Sequence, residues 1–111
     1  MPARIHHPVS AYGEHAGVLG AETDLAAQAI LVNRTFHLTD IVVGADAIST
    51  FFVTDALNVH LFTIYLAAAG NIAITFETPL VLVGAETMRI RCLSAAGTVQ
   101  YGTLIGDLIY E

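Results

Sequence analysis

The sequence predicts an all-β domain, an antiparallel sandwich or barrel of about seven to nine strands. The composition is apolar, with 55% hydrophobic and only 13% charged residues, against about 25% charged in an average soluble domain. Short segments rich in Val, Ile, Thr and Phe each end in Gly, Asn or Asp, at a spacing of roughly 8–12 residues. Residues 87–93 alternate cleanly, with Met88, Ile90 and Cys92 on one face and Arg89 and Arg91 on the other, as a half-buried strand requires.

Eight segments follow this pattern after residue 25. Gly and Asn turns separate most of them, and a proline precedes the sixth. A helix over residues 55–69, where Ala and Leu are frequent, is the main competing prediction, but Thr63, Ile64 and Tyr65 favour a strand. The predicted strands cover residues 26–33, 35–43, 48–54, 59–67, 72–76, 80–83, 87–93 and 98–110.

Residues 1–24 differ from the remainder, because they contain three of the five His and two of the three Pro and sustain no period. We therefore expect an extended N-terminal arm over 1–24 and a sandwich domain over 25–111. Such an arm is either disordered or ordered along a neighbour. Deleting residues 1–20 would then leave the fold intact.

The charge composition excludes several classes of partner. All four cations are Arg and the net charge is −6, so neither nucleic acid nor an anionic membrane surface is expected as a partner. The longest apolar run, residues 59–70, is interrupted and shorter than the roughly 20 residues needed to span a bilayer. The excess apolar surface predicts burial between subunits; a monomer with an apolar surface is the alternative.

No catalytic or metal-binding pattern is present, so we expect a non-enzymatic protein without a cofactor. A cupin-type metal site needs several His on neighbouring strands, whereas His37 and His60 lie far apart and no His follows. Cys92 alternates with Met88 and Ile90, which predicts a buried thiol. Paired carboxylates for glycoside chemistry stay open, since any two of ten acids can meet in space.

Arg89 and Arg91 carry half of the cations on one strand face. Three environments are open to them. They face solvent, they pair with cross-strand acids such as Glu77, or they pair with acids of a neighbouring subunit.

The second half of the chain resembles small jelly-roll proteins of tailed bacteriophages and prophages. The run TPLVLVGAETMRIRCLSAAGTVQYGTLIGDLIYE carries the pattern. Pro79 opens a strand, the turn at 84–86 leads into alternating Met88 and Ile90, a turn follows at 94–97, and an aromatic–acid pair closes the chain. HLTDIVVGADAISTFFVTDA and LFTIYLAAAGNIAITF fit the same family upstream.

This resemblance implies a jelly-roll capsid decoration or cement protein, a homotrimer that bridges major capsid protein subunits on the virion surface. It would be made in the cytoplasm of a bacterial host. The arm would contact the capsid, and aromatic and Arg side chains would form subunit interfaces, although the domain's own core is the stronger interpretation for at least half of the aromatics. Expected arm contacts are Ile5, His6, His7, Tyr12 and His15; expected interface residues are Phe51, Phe52, Phe62, Tyr65, Arg89 and Arg91.

A carbohydrate- or receptor-binding module of a phage tail or fibre is the alternative function. Sugar-binding sandwiches usually present exposed Trp or Tyr, and this chain has no Trp and four Tyr. An exposed Tyr pair beside acids in one groove would favour this reading.

Overall fold

The computed structural model describes residues 5–17, 19–94 and 99–110. These ranges form eight strands that lie in two sheets. The strands are β1 (Ile5–Ala16), β2 (Leu19–Ala29), β3 (Arg34–Ala45), β4 (Ser49–Thr54), β5 (His60–Leu66), β6 (Gly70–Val83), β7 (Thr87–Ser94) and β8 (Val99–Tyr110).

The two sheets form a jelly-roll sandwich. One has the order β1-β8-β3-β6 and the other β2-β7-β4-β5, and every pairing is antiparallel. Every connection except β4–β5 crosses from one sheet to the other, which is the double-sheet arrangement of eight-stranded jelly rolls. The strand ends that flank the β1–β2, β3–β4, β5–β6 and β7–β8 connections meet at one end of the sandwich, the four-loop end. The other three connections lie at the opposite, three-loop end.

The core lies between the sheets and follows strand alternation. Phe51 and Val53 of β4 face Ile41 and Val43 of β3, and all four are almost fully buried. Met88, Ile90 and Cys92 of β7 point inward, as the alternation of residues 87–93 predicts. The all-β sandwich prediction is therefore confirmed.

A β-bulge at Thr39 reverses the alternation of β3. Phe36 and Leu38 face the core before the bulge, and Ile41 and Val43 face it afterwards. The Thr39 hydroxyl donates to Asp40 Oδ2 at 2.9 Å, and the Thr75 hydroxyl donates to Asp40 Oδ1 at 2.6 Å. These two hydrogen bonds, the Thr75 bond first, lower the pKa of Asp40 below its usual value.

The same bulge explains why two predicted segments belong to one strand. Residues 72–76 and 80–83 both lie in β6. The pairing of β6 with β3 skips residues 76–79, where Pro79 has no N–H to donate. The prediction of separate strands is therefore wrong, because the proline marks an irregularity within a strand rather than its end.

The arm prediction also needs correction. β1 is extended, but it pairs with β8 along all 12 of its residues. The predicted boundary at residue 24 falls inside β2, which pairs with β7 and ends at Ala29 rather than running on to residue 33. β1 and β2 also touch, since a Cβ at Gly13 would overlap the Leu25 carbonyl. The missing period at 5–24 reflects two edge strands, whose low core burial weakens the apolar alternation.

The segment for which a helix competed is the strand β5, from His60 to Leu66. Within the part of the chain that the structure describes, no helix has the length and apolar character needed to cross a membrane.

Candidate interaction surfaces

The aromatic residues expected at a subunit interface divide between the core and the surface. Phe51 is 0% exposed and Phe62 packs edge-on against Phe76, with ring centroids 5.3 Å apart. Phe51 belongs to the domain's own core and Phe62 packs against it, so the interface prediction is wrong for Phe51 and is not supported for Phe62. Inward alternation on β4 and β5 places both rings between the sheets. Phe52 and Tyr65 point outward instead.

The outward face of the β2-β7-β4-β5 sheet carries an ionic cluster around Arg91. Its guanidinium donates from Nε to Asp24 Oδ1 at 2.7 Å and lies 3.3 Å from Glu22 Oε1. Arg89 Nε lies 3.5 Å from Asp24 Oδ2, and its other end donates to the Ala56 carbonyl at 3.2 Å. The cross-strand alternative is therefore the observed one, with acids of β2 as partners. Glu77 lies on the other sheet and is not the partner.

His60, on the edge strand β5, also belongs to this cluster. Its Nε2 lies 2.8 Å from Glu22 Oε1, and its ring stacks on Phe52 with centroids 4.2 Å apart. Phe52 sits directly opposite Arg91 in the register. Charges on this face are thus balanced within the chain.

Beside the ionic cluster lies an apolar row, which we call the outer strip. Leu93, Thr50 and Tyr65 are directly opposite one another on β7, β4 and β5. Tyr65 is 62% exposed, and Leu93 is exposed as well. An exposed apolar row on a sheet face is a surface that another protein can cover.

The three-loop end carries a second apolar surface, the apolar end. Among the described residues, twelve large apolar side chains are exposed, and seven of them lie at this end. They are Leu31, Val32, Leu57, Val59, Leu61, Val81 and Val83.

Hydrogen bonds and left-handed Asn residues fix two of the turns at the apolar end. Asp55 Oδ1 accepts from the backbone N–H groups of Leu57 at 2.9 Å and Val59 at 3.0 Å. Asn33 and Asn58 adopt the left-handed conformation, with φ of 64° and 61°, which Asn tolerates better than most residues. The fixed turns therefore project Leu57, which is 82% exposed, away from the core.

The residues expected as arm contacts lie at both ends of β1. The side chains of Ile5 and His6 are outside the described residues, although their backbones pair with Tyr110 and Ile109. His7 stacks on Tyr110 with centroids 4.8 Å apart, and this stack lies at the three-loop end. Arg34 lies 4.0 Å from the Tyr110 ring centroid.

Tyr12 and His15 lie farther along β1, towards the four-loop end. His15 Nδ1 lies 3.3 Å from Gln100 Oε1, so that side chain turns towards β8. Tyr12 points outward and is 61% exposed.

The outward face of the β1-β8-β3-β6 sheet holds a groove near the four-loop end. Glu14, Tyr101, Gly44 and Asn71 form one row across its four strands. The Tyr101 ring lies over Gly44, where a Cβ would overlap it. A cavity of about 280 Å³ adjoins this row and is lined by Ala45, Asp46, Gly70, Asn71, Val99 and Tyr101.

Tyr12 extends the groove on the β1 side. Its hydroxyl donates to Glu14 Oε2 at 2.9 Å, and this hydrogen bond raises the pKa of Tyr12, with a smaller contribution from Tyr101. The exposed Tyr12 and the half-buried Tyr101 therefore both lie next to Glu14, so only one member of the expected exposed Tyr pair is exposed.

Sequence reasoning did not select Tyr101, Gly44 or Asn71. Only the strand register brings these residues into one row. The apolar end was missed as well, although Leu57 and Val59 flanking Asn58 in a turn segment were a signal.

The groups considered for chemistry are dispersed. His37 is on β3 and His60 is on β5, in different sheets. Across residues 5–17, 19–94 and 99–110, no group of three or more His, Cys, Asp or Glu is placed to hold a metal ion. Cys92 is buried as expected, and desolvation raises the pKa of its thiol to about 11.

Comparisons with known proteins support the fold. No family model matches the sequence, and no curated protein is similar to it. Among solved structures, a chain of the disulfide-linked pili of Bacillus endospore appendages superposes with a TM-score of 0.60 at 10% identity, covering 98% of this chain and 90% of that one.

Two viral proteins share the same fold. A chain of the cyanophage Pam1 capsid asymmetric unit has a TM-score of 0.53 at 9% identity, with 96% of this chain and 86% of that chain covered. The coat protein of tobacco streak virus has a TM-score of 0.50 at 15% identity, with 97% and 86% covered. The chain therefore has the β-sandwich fold of viral capsid proteins, which pilus subunits also use.

Proposed function

We propose that this chain is a structural protein of a tailed-bacteriophage virion, a trimeric decoration protein that stabilises the shell by bridging major capsid protein subunits. It acts by binding and not by catalysis. The observation that carries the proposal is the apolar end, where seven large apolar side chains are exposed on turns and strand ends. A surface of that kind favours a protein partner.

The energetics suit a cement. Fully burying a Val or Leu side chain stabilises by about 1.5–3 kcal/mol, so covering only part of the apolar end already gives a useful contact. Binding costs offset much of this gain. A symmetric oligomer that attaches at several repeated sites multiplies modest contacts through avidity.

We assign the trimer contact to the outer strip and the capsid contact to the apolar end. Tyr65 and Leu93 lie on a sheet face, whereas Leu57 and Val32 project from loops at the apolar end. The two surfaces are therefore separate, as a protein that binds both itself and a shell requires. The start of β1 also lies at the three-loop end. We therefore propose Ile5, His6 and His7 as further capsid contacts.

The cyanophage comparison supports this proposal at the level of fold. That chain belongs to a phage capsid and is similar in length to this one, because the superposition covers nearly all of both. The net charge of −6 supports a position on the outside of the shell rather than against packaged DNA.

The test is co-sedimentation of the purified chain with phage capsid shells assembled without it. The variant replaces two exposed turn residues of the apolar end, Val32→Glu with Leu57→Glu. The matched control is Ile48→Glu, an exposed apolar residue at the four-loop end. We expect wild type and the control to pellet with shells, and the double variant to stay in the supernatant.

Thermal unfolding checks that the fold survives, because exposed substitutions of this kind change stability by only about 0.5 kcal/mol. If the folded double variant bound shells as tightly as wild type, or if wild type did not bind, the proposal would be wrong.

A further inference from the structure

The groove beside Tyr101 has the features of a small-ligand site that the structural role does not use. It lies on the outward face of the β1-β8-β3-β6 sheet near the four-loop end. Neither the apolar end nor the outer strip includes it. Its cavity of about 280 Å³ is close to the lower size of ligand pockets.

Tyr101 forms an aromatic wall whose position the backbone determines. Gly44 lies directly opposite it on β3, and the absence of a side chain there lets the ring lean over the strand. Asn71 lies opposite Gly44 on β6 and faces the same side. The Tyr101 ring, the Gly44 backbone and the Asn71 amide therefore lie side by side across three strands.

Several polar side chains surround the Tyr101 ring. Asn71 is exposed, and its amide makes no side-chain hydrogen bond within the described residues. An amide offers both donors and an acceptor. Asp46 lines the same cavity, with Oδ1 accepting from Val99 N at 3.1 Å. Tyr12 and Glu14 stand on the other side of Tyr101.

We propose that this groove binds a neutral saccharide, with a sugar ring stacked on Tyr101 and its hydroxyls hydrogen-bonded to Asn71 and Asp46. Sugar rings have an apolar C–H face and a rim of hydroxyls. An aromatic ring beside amide and carboxylate groups matches both.

Charge determines which saccharides fit. Among the residues that the structure describes, no Arg lines the cavity, and the sequence has no Lys. Asp46 and Glu14 are nearby, and the net charge is −6. An anionic sugar would be repelled. The site is therefore suited to neutral saccharides and not to sialylated or sulfated ones.

Two pairs of variants isolate the groove. Tyr101→Ala removes the wall, and Phe52→Ala removes an outward-facing aromatic ring from the opposite sheet as its control. Gly44→Ala displaces the ring, because the added Cβ overlaps its outer atoms, which can swing towards solvent. Its control is Gly20→Ala, where an added Cβ meets nothing within 4 Å.

The experiment is isothermal titration of the full chain with chitotetraose, maltotetraose and cellotetraose at millimolar concentration, and with 3′-sialyllactose and choline as charged probes. We expect at least one neutral tetrasaccharide to bind. 3′-Sialyllactose should fail because the acids repel its charge, and choline should fail because it has no sugar ring with a rim of hydroxyls for Asn71 and Asp46. Tyr101→Ala and Gly44→Ala should each weaken binding about ten-fold, while both controls keep the wild-type Kd.

Any of three titration results would overturn the proposal. None of the neutral tetrasaccharides binds, choline or 3′-sialyllactose binds in their place, or Phe52→Ala weakens binding as much as Tyr101→Ala. A change of solution mass in Tyr101→Ala would also contradict it, because the groove would then be a subunit contact. Shell co-sedimentation of Gly44→Ala should match wild type, so this proposal and the structural one fail independently.

Discussion

Phe51→Ala separates a core role from an interface role for the aromatic residues. Phe51 is 0% exposed and lies between the sheets, whereas its neighbour Phe52 points outward and stacks on His60. Truncating a buried Phe to Ala costs about 3–5 kcal/mol. A domain of this size has a free energy of unfolding of about 5–15 kcal/mol, so the variant should lose a large part of its stability.

The assay is thermal and urea unfolding of Phe51→Ala beside Phe52→Ala. Each kcal/mol shifts the Tm of a domain this size by about 4–8 °C. We therefore expect Phe51→Ala to lower the Tm by roughly 12–40 °C or to remain unfolded. Phe52→Ala should cost about 1 kcal/mol, because only part of its ring leaves water on folding. If Phe51→Ala kept the wild-type Tm and changed only the solution mass, the core assignment would be wrong.

Three further perturbations test other parts of the structure. Gly13→Ala should cost about 2 kcal/mol or more, because its Cβ overlaps a backbone carbonyl of β2 that cannot swing away; Gly20→Ala should change stability by less than about 0.5 kcal/mol in the same urea titration. Cys92 should resist a thiol reagent at pH 8 in the native protein and react with it in guanidinium. Burial raises the pKa of its thiol from an ordinary value of 9.0 to about 11 in the folded state. The resulting contribution to stability is therefore present below pH 9 and is lost as the pH rises towards 11. Arg91→Met should cost about 1 kcal/mol at low salt and less at high salt, since it removes ion pairs that are partly screened by solvent. Equal effects of the two Gly variants, native labelling of Cys92, or a salt-independent Arg91 effect would each contradict the corresponding assignment.

Hydrophobic alternation was sufficient to predict the inner strands but not the edge strands. Residues 87–93 alternate without interruption, so β7 and its buried Cys92 followed directly from the sequence. β1 has one side towards β8 and the other unpaired. Its apolar alternation is therefore weak, and Pro8 and Gly13 resemble loop residues. The arm prediction failed for that reason.

Bulges and register limited the rest. The extra residue at Thr39 moves the inward face of β3 from even to odd positions, and no single period describes the strand. The groove needs Tyr101, Gly44 and Asn71 in one row, although they are far apart in sequence. That row depends on two strand pairings, β8 with β3 and β3 with β6, that residue types do not specify. The sequence indicates a role for Arg91 through its position on β7, but its partner Asp24 lies in the segment predicted to be an arm.

The most direct test of the structural role is the solution mass of the purified chain, measured by light scattering behind a sizing column. We expect a closed trimer, with a mass near three times the 11.8 kDa of one chain. Tyr65→Glu should give folded monomers, because it places a charge in the outer strip. A wild-type monomer at micromolar concentration, or a trimer that Tyr65→Glu leaves unchanged, would contradict the assignment of the outer strip as the trimer contact.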